Sequence, residues 1–253
     1  MSVLDSFRLD GKVAVISGAS SGLGVQFAVS LAEAGADVLL AARRGDRLAE
    51  TAELVRAAGR EALAVPADVT KPEDCQAVVD AAMNHFGHVD VLVNNAGLGT
   101  AVPALRETPE QFRQVVDINL MGAYWLAQAC ARVMQPGSAI VNISSVLAYT
   151  TAGLPQAAYS ASKAALVGLT RDLAQQWAQR LGIRVNAIAP GYVASEMTAV
   201  YDDDRLAKLT NRTLLGRFGS AQEIAATIIW LASAAGGYMC GQTVIVDGGF
   251  SVT

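Results

Sequence analysis

The sequence predicts an α/β fold: a Rossmann-type, doubly wound sheet of seven mainly parallel strands with helices on both faces. Three observations carry this. Seven short runs rich in Val, Ile and Leu recur along the 253 residues, and they do not alternate apolar with polar side chains. Strands covered on both faces read that way. Longer segments with helical spacing separate the runs, and strand–helix alternation builds right-handed βαβ units and a parallel sheet.

The first run is Val13–Ser17, followed through a glycine loop by a helical segment, Leu23–Ala34. Val38–Ala41 precedes the helical segment Asp46–Ala58, and Ala62–Val65 precedes Pro72–Phe86. Val89–Val93 leads to a long apolar helix over Glu110–Val133, and Ala139–Ile143 to another over Tyr159–Leu181. Arg184–Ile188, a last helix over Ala221–Ala232 and Thr243–Val246 complete the set. Gly35, Gly59, Gly87 and Gly182 stand just after four of the helices, where glycine ends a helix. No linker-like stretch divides residues 1–253, which predicts a single nucleotide-binding domain.

Composition excludes several function classes. Hydrophobic residues make up 52% and charged residues 17%, against roughly 25% charged in an average soluble domain, and the mean hydropathy is +0.33. A membrane-spanning helix needs about 20 mostly apolar residues. The best stretch, Ile224 to Val246, carries no charge, but Gly236-Gly237 and Gly241-Gln242-Thr243 interrupt it. The N-terminus shows no apolar core of a secretory signal. Cys75, Cys130 and Cys240 form no disulfide framework, which predicts a reducing, cytoplasmic setting. The net charge of −4 and the lack of a basic run argue against nucleic acid. His85 and His88, with no cysteine near them, make a poor metal site, and no metal is expected.

Two motifs carry chemistry. In Ser17-Gly18-Ala19-Ser20-Ser21-Gly22-Leu23-Gly24 a glycine-rich turn opens a helix. Unpaired N–H groups at a helix start bind phosphate, and glycines let the backbone approach closely. Gly18, Ser20, Ser21, Gly22, Leu23 and Gly24 are therefore candidate cofactor residues. At the end of the second strand, enzymes preferring NAD place a carboxylate for the ribose 2′-OH. Here that strand ends Ala41-Ala42-Arg43-Arg44. Guanidinium groups suit a 2′-phosphate, so Arg43 and Arg44 point to NADP(H) over NAD(H).

The second motif is Tyr159-Ser160-Ala161-Ser162-Lys163. Residues four apart share one helix face. A phenol titrates near 10, and a neighbouring ammonium lowers that value. A phenol so tuned exchanges a proton with a substrate oxygen. Upstream, Ser144-Ser145 and Asn94-Asn95-Ala96-Gly97 end two strands, at the sheet edge where ligands bind. Asn119 lies inside an otherwise apolar helix, where a buried amide needs partners.

Together these landmarks, with Asp68-Val69 and Pro190-Gly191, resemble the compact type of short-chain dehydrogenase/reductase, from Leu9 to Phe250. The resemblance implies that Tyr159 is the acid/base. It makes Lys163 the group that tunes Tyr159 and holds the nicotinamide ribose. Ser145 would orient the carbonyl, and Asn119 would hold a water linked to Lys163. Asp68 and Val69 would contact the adenine, while Asn94, Ala96 and Gly97 would line the adenosine side. Pro190, Gly191, Val193 and Ser195 would meet the nicotinamide, and Arg43 the 2′-phosphate. Residues 192–215 would cover the substrate, with Met197, Tyr201, Leu206, Leu209 and Leu214 forming an apolar pocket with Leu98, Val146, Leu147 and Tyr149.

The reaction implied is interconversion of a ketone or aldehyde with an alcohol. The alternatives are a 3-oxoacyl-thioester (acyl-carrier) reductase and a non-catalytic nucleotide sensor. Met134-Gln135-Pro136-Gly137-Ser138 lacks the basic residues that an acyl-carrier partner favours. The two long helices carry apolar residues on more than one face, so they must be covered on both sides. The resemblance makes them subunit interfaces of a homotetramer or dimer.

Overall fold

In the computed structural model, which describes residues 2–194 and 202–253, seven strands form one sheet. They are β1 (Val13–Ser17), β2 (Asp37–Ala42), β3 (Ala62–Pro66), β4 (Val91–Asn94), β5 (Ala139–Ile143), β6 (Arg184–Pro190) and β7 (Thr243–Val246). Their spatial order is 3-2-1-4-5-6-7, and every neighbouring pair runs parallel. The chain winds outward from β1 on one side and from β4 on the other. The switch between them opens a crevice at the carboxyl ends of the strands, the place for a ligand in such sheets.

The described residues hold eight α-helices: α1 (Leu23–Glu33), α2 (Gly45–Ala57), α3 (Pro72–Phe86), α4 (Pro109–Val116), α5 (Gly122–Ala131), α6 (Ala157–Leu181), α7 (Asp203–Arg212) and α8 (Ala221–Ala232). Strand side chains alternate between faces. Ala14, Ile16, Val38 and Leu40 therefore join Phe27, Leu48 and Ile228 in one core layer under α1, α2 and α8. Val15, Leu39 and Ala41 face the opposite layer, with Val78 of α3, Leu126 of α5 and Leu173 of α6. Both sets are apolar, which explains the unbroken runs in the sequence. Each buried Leu or Ile stabilises the fold by roughly 2 kcal/mol relative to exposure.

The long helix expected over Glu110–Val133 is real but not uniform. It begins at a capping box, where the Thr108 side chain accepts from the Gln111 N–H and Gln111 returns the bond. It then widens into a π turn at Asp117–Met121 before continuing as α5. Such turns insert an extra residue and cluster at functional sites; this one carries Asn119. The segment after β6 also holds a helix, α7, that the hydrophobic pattern did not announce. At the far end of the sheet, the Arg184 guanidinium donates to the carbonyls of Leu231 (2.7 Å) and Gly236 (3.0 Å). A cation there satisfies carbonyls that a helix end leaves open. No helix among the described residues is long and apolar enough to cross a membrane.

Candidate active site

The glycine loop joins β1 to α1. Gly22 has φ +56°, and a Cβ there would meet nothing within 4 Å, so this turn faces open space at the start of α1. Gly24 is held for the opposite reason: a Cβ would fall 2.2 Å from the Gly18 carbonyl. Two neighbours fix the loop. The Ser17 hydroxyl accepts from the N–H groups of Asn95 (3.1 Å) and Ala96 (3.0 Å). The Asn95 side-chain amide donates to the carbonyls of Ser17 (3.0 Å) and Gly18 (3.1 Å). The ends of β1 and β4 are thereby tied together beneath an open cradle with the donor set that a pyrophosphate requires.

Arg44 Nη2 donates to the hydroxyls of Ser20 (3.1 Å) and Ser21 (2.8 Å). Arg43 lines a cavity of about 300 Å³ with Asp68, Thr70, Glu110, Arg113 and Gln114. Burial raises the Asp68 pKa, but the Thr70 amide and hydroxyl and the Arg43 and Lys71 charges outweigh it and hold the carboxyl below its usual value. Asp68 is thus an anion fixed in place, an acceptor for an exocyclic amine. Val69 packs closely on Gly122, whose added Cβ would lie 2.6 Å from a Val69 methyl.

The Asn94 side chain does not face the crevice. It is 4% exposed, and its amide donates to the Ala123 carbonyl (3.0 Å) and Asn142 Oδ1 (2.9 Å). Asn142 passes the chain on to the Thr170 hydroxyl at 2.9 Å. A cofactor at this position would meet only the Asn94 main chain. Adjacent strand residues point to opposite faces, so only one of Asn94 and Asn95 can turn to the cleft, and it is Asn95.

Tyr159 and Lys163 lie near the start of α6. Lys163 is 4% exposed, with Nζ 5.7 Å from the centre of the Tyr159 ring. Nζ donates to the Ile143 carbonyl at 2.7 Å. Burial lowers its pKa from 10.5 to about 8. Ser144 and Ser145, equivalent in sequence, divide here. The buried Ser144 hydroxyl donates to the Lys163 carbonyl at 2.8 Å. The Ser145 oxygen accepts from the Leu147 N–H at 3.2 Å, so its proton is directed by whatever acceptor enters the crevice. Asn119 is clamped on three sides. Its amide donates to the Leu98 carbonyl and the Ser162 hydroxyl, both at 3.0 Å, and Oδ1 accepts from the Leu98 N–H at 2.7 Å. A Cβ on Gly97 would lie 3.5 Å from both Asn119 Oδ1 and Lys163 Nζ, which places Gly97 between them.

Pro190 ends β6, and Gly191 approaches Asp247 so closely that a Cβ would fall 2.6 Å from its Cα. Val193 is buried and bridges to Gly219. Ser195, Met197 and Tyr201 lie outside the described residues. Of the expected pocket, Val146, Leu147 and Leu209 form a small core with Phe250, against which Tyr159, Tyr192 and Phe218 pack. Leu214 is 66% exposed and packs against Gly249, where a Cβ would fall 2.6 Å from its Cδ1. A second cavity of about 280 Å³ lies between the loops after β4 and β5. Val102, Leu147, Leu154, Pro155 and Gln156 are among its uncharged lining residues. Loop residues of this kind carry no periodic signal, so sequence reading named only Leu147.

The chain matches the family model for enoyl-(acyl carrier protein) reductase over residues 18–251. It is 38% identical to 2-dehydro-3-deoxy-D-gluconate 5-dehydrogenase of Escherichia coli (strain K12), covering 98% of both chains. It is 38% identical to a 3-oxoacyl-[acyl-carrier-protein] reductase of Staphylococcus epidermidis, covering 94% of this chain and 98% of that one. The fold superposes on a short-chain type dehydrogenase/reductase from Mycobacterium marinum with a TM-score of 0.95 at 35% identity, covering 100% of both. The chain belongs to the short-chain dehydrogenase/reductase family. A further member, a gluconate 5-dehydrogenase from Burkholderia cenocepacia solved with NADP and tartrate, matches with a TM-score of 0.92 at 35% identity over 100% of both chains. As a short-chain dehydrogenase/reductase, this protein is an oxidoreductase of CH–OH and C=O groups with a Rossmann-like nucleotide-binding fold.

Proposed function

We propose that the protein interconverts a ketone or aldehyde with an alcohol using NADP(H), with Tyr159 as the acid/base. The observation that carries this is the buried Lys163 ammonium beside Tyr159, with Ser145 buried just after β5. The bound dinucleotide would supply or take the hydride. Ser145 would donate a hydrogen bond to the carbonyl oxygen, and Tyr159 would exchange the proton with that same oxygen. Lys163 holds one bond to Ile143 and has two further N–H groups for the ribose hydroxyls. Its charge favours the phenolate. Asn119 keeps the π turn and the Gly97 strand end in register, so Lys163 meets a fixed wall.

The preference for NADP(H) rests on β2, which ends in two arginines and no carboxylate. Arg44 sits over the Ser20 and Ser21 hydroxyls and Arg43 over the Asp68 cavity, flanking the place of a 2′-phosphate. Charge-assisted bonds contribute roughly 1.5–3 kcal/mol each. The Arg43→Ala/Arg44→Ala variant is expected to raise the Kd for NADPH by about a hundredfold and that for NADH by about threefold at most. Equal losses for the two nucleotides would overturn the preference.

The uncharged second cavity favours a neutral carbonyl compound. Reduction of a 3-oxoacyl thioester is a second reading, favoured by the family model and the Staphylococcus relative. Oxidation of NADPH against a panel of ketones, aldehydes, keto-sugars and 3-oxoacyl thioesters separates the two. We also propose a homotetramer or dimer. Phe112 of α4 is 40% exposed, and Leu105 before it is fully exposed; a subunit contact over this helix would cover both. Light scattering that returns the 26.3 kDa of one chain at micromolar concentration would contradict it.

A further inference from the structure

Arg212 ends α7, and its guanidinium gathers three segments that are distant in sequence. Nη1 donates to the Thr151 carbonyl, and Nη2 donates to the Thr150 hydroxyl at 2.8 Å. Both acceptors lie in the loop that begins at Ser145. Nη2 also reaches the Thr253 carbonyl at 3.4 Å. The guanidinium carbon lies over the Phe250 ring, 4.1 Å from its centre. The Thr253 hydroxyl returns a bond to the Arg212 carbonyl at 3.0 Å.

Phe250 is not an incidental platform. It is fully buried, its ring lies 5.3 Å from that of Tyr192, and it shares a core with Val146, Leu147 and Leu209, against which Tyr159 packs. Asp247 fixes its turn by accepting from the Gly249 N–H (2.9 Å) and the Ser251 N–H (2.7 Å). The Thr151 carbonyl and the Thr150 hydroxyl are neutral acceptors, so the link to that loop is not a surface ion pair of the kind that contributes little. A guanidinium has the several fixed donors needed to bond a carbonyl and a hydroxyl at once while its charge lies over a ring.

We propose that Arg212 is a positioning residue for the substrate: it holds the Thr150–Thr151 loop, α7 and the Phe250 turn together, so that the carbonyl compound is pressed against Ser145 and Tyr159. The role rests on the carbonyl–alcohol reading above. Arg212 touches neither the glycine loop nor the Arg43 cavity, so nucleotide binding does not depend on it.

The test uses the full chain, NADPH, and the panel carbonyl that the wild type reduces fastest. For Arg212→Ala, kcat/KM for that carbonyl falls by at least about tenfold, mainly through KM, because two or more bonds from a charged donor are lost. The Kd for NADPH stays within about twofold. Free guanidinium ion at millimolar concentration restores part of the loss, while sodium chloride at equal ionic strength does not. In hydrogen exchange, the amides of residues 146–152 and 249–253 exchange at least about tenfold faster than in the wild type, and those of residues 18–24 do not change. Arg212→Lys, which keeps the charge and loses the fork, recovers less than half of the catalytic loss. An unchanged KM, or unchanged exchange at residues 150–151, overturns the proposal. Failure of the reaction reading looks different. If Tyr159→Phe retains full turnover, or no panel carbonyl is reduced, that reading falls, and hydrogen exchange alone then decides for or against Arg212.

Discussion

Tyr159→Phe is expected to lower turnover by about 10²–10⁴, the range for loss of a positioned acid/base, while the Kd for NADPH stays within about twofold. The change removes one oxygen and keeps the ring that packs against the Val146, Leu147, Leu209 and Phe250 core. Folding is therefore preserved, and the melting temperature should move by no more than a few degrees. Stopped-flow mixing of enzyme and NADPH with the best panel carbonyl reads the chemical step directly. Turnover within about threefold of the wild type would remove Tyr159 from the mechanism.

Lys163→Met gives the second large effect, and its signature lies in pH as well as rate. Turnover should fall by roughly 10²–10³, since the phenol loses the charge that tunes it. Stability follows from burial, which brings the Lys163 pKa from 10.5 to about 8. Below pH 8 the folded and unfolded chains both hold the proton, and the folded state bears the full cost of a buried ammonium. Between about 8 and 10.5 the unfolded chain binds more protons, so stability rises with pH. Above 10.5 the cost is gone. Met does not titrate, so the wild type should gain on the variant as pH rises through this window, by at most roughly 3 kcal/mol. Urea melts of both proteins at pH 7 and pH 9.5 measure this gain, and parallel responses would contradict the burial of a charged Lys163.

Much of this architecture was legible because it rests on periodicity. The seven runs became the seven strands, since β1 to β6 are apolar toward both layers and leave the pattern no ambiguity. The long helix was visible as a unit, but the π turn at Asp117–Met121 was not. Its cause is the three bonds of Asn119 to Leu98 and Ser162, partners 21 and 43 residues away that no local pattern encodes. The same limit explains Asn94 and Asn95. The motif marks both, yet only the pleat decides which one reaches the glycine loop. The resemblance favoured Ser145 over Ser144, but local sequence did not show that the Ser144 hydroxyl is bonded to the Lys163 carbonyl. The α7 helix eluded the pattern because its sequence, Asp203–Arg212, is mostly polar, with Leu209 its buried apolar side chain among those described. Arg212 carried no signal at all, since its partners are two loop residues and the Phe250–Val252 turn.

Hydride transfer between NADPH and a carbonyl carbon in the crevice of β1, β4 and β5 is the step on which the proposed function depends. It is tested most directly by deuterium tracing. The enzyme is incubated with NADPH carrying deuterium on either face of nicotinamide C4, together with the panel carbonyl reduced fastest, and the alcohol is weighed by mass spectrometry. One deuterium is expected on the carbinol carbon from one labelled face and none from the other, with the label undelivered by Tyr159→Phe. Alcohol formed without label from either face, or NADPH bound but never consumed with any carbonyl, would contradict it.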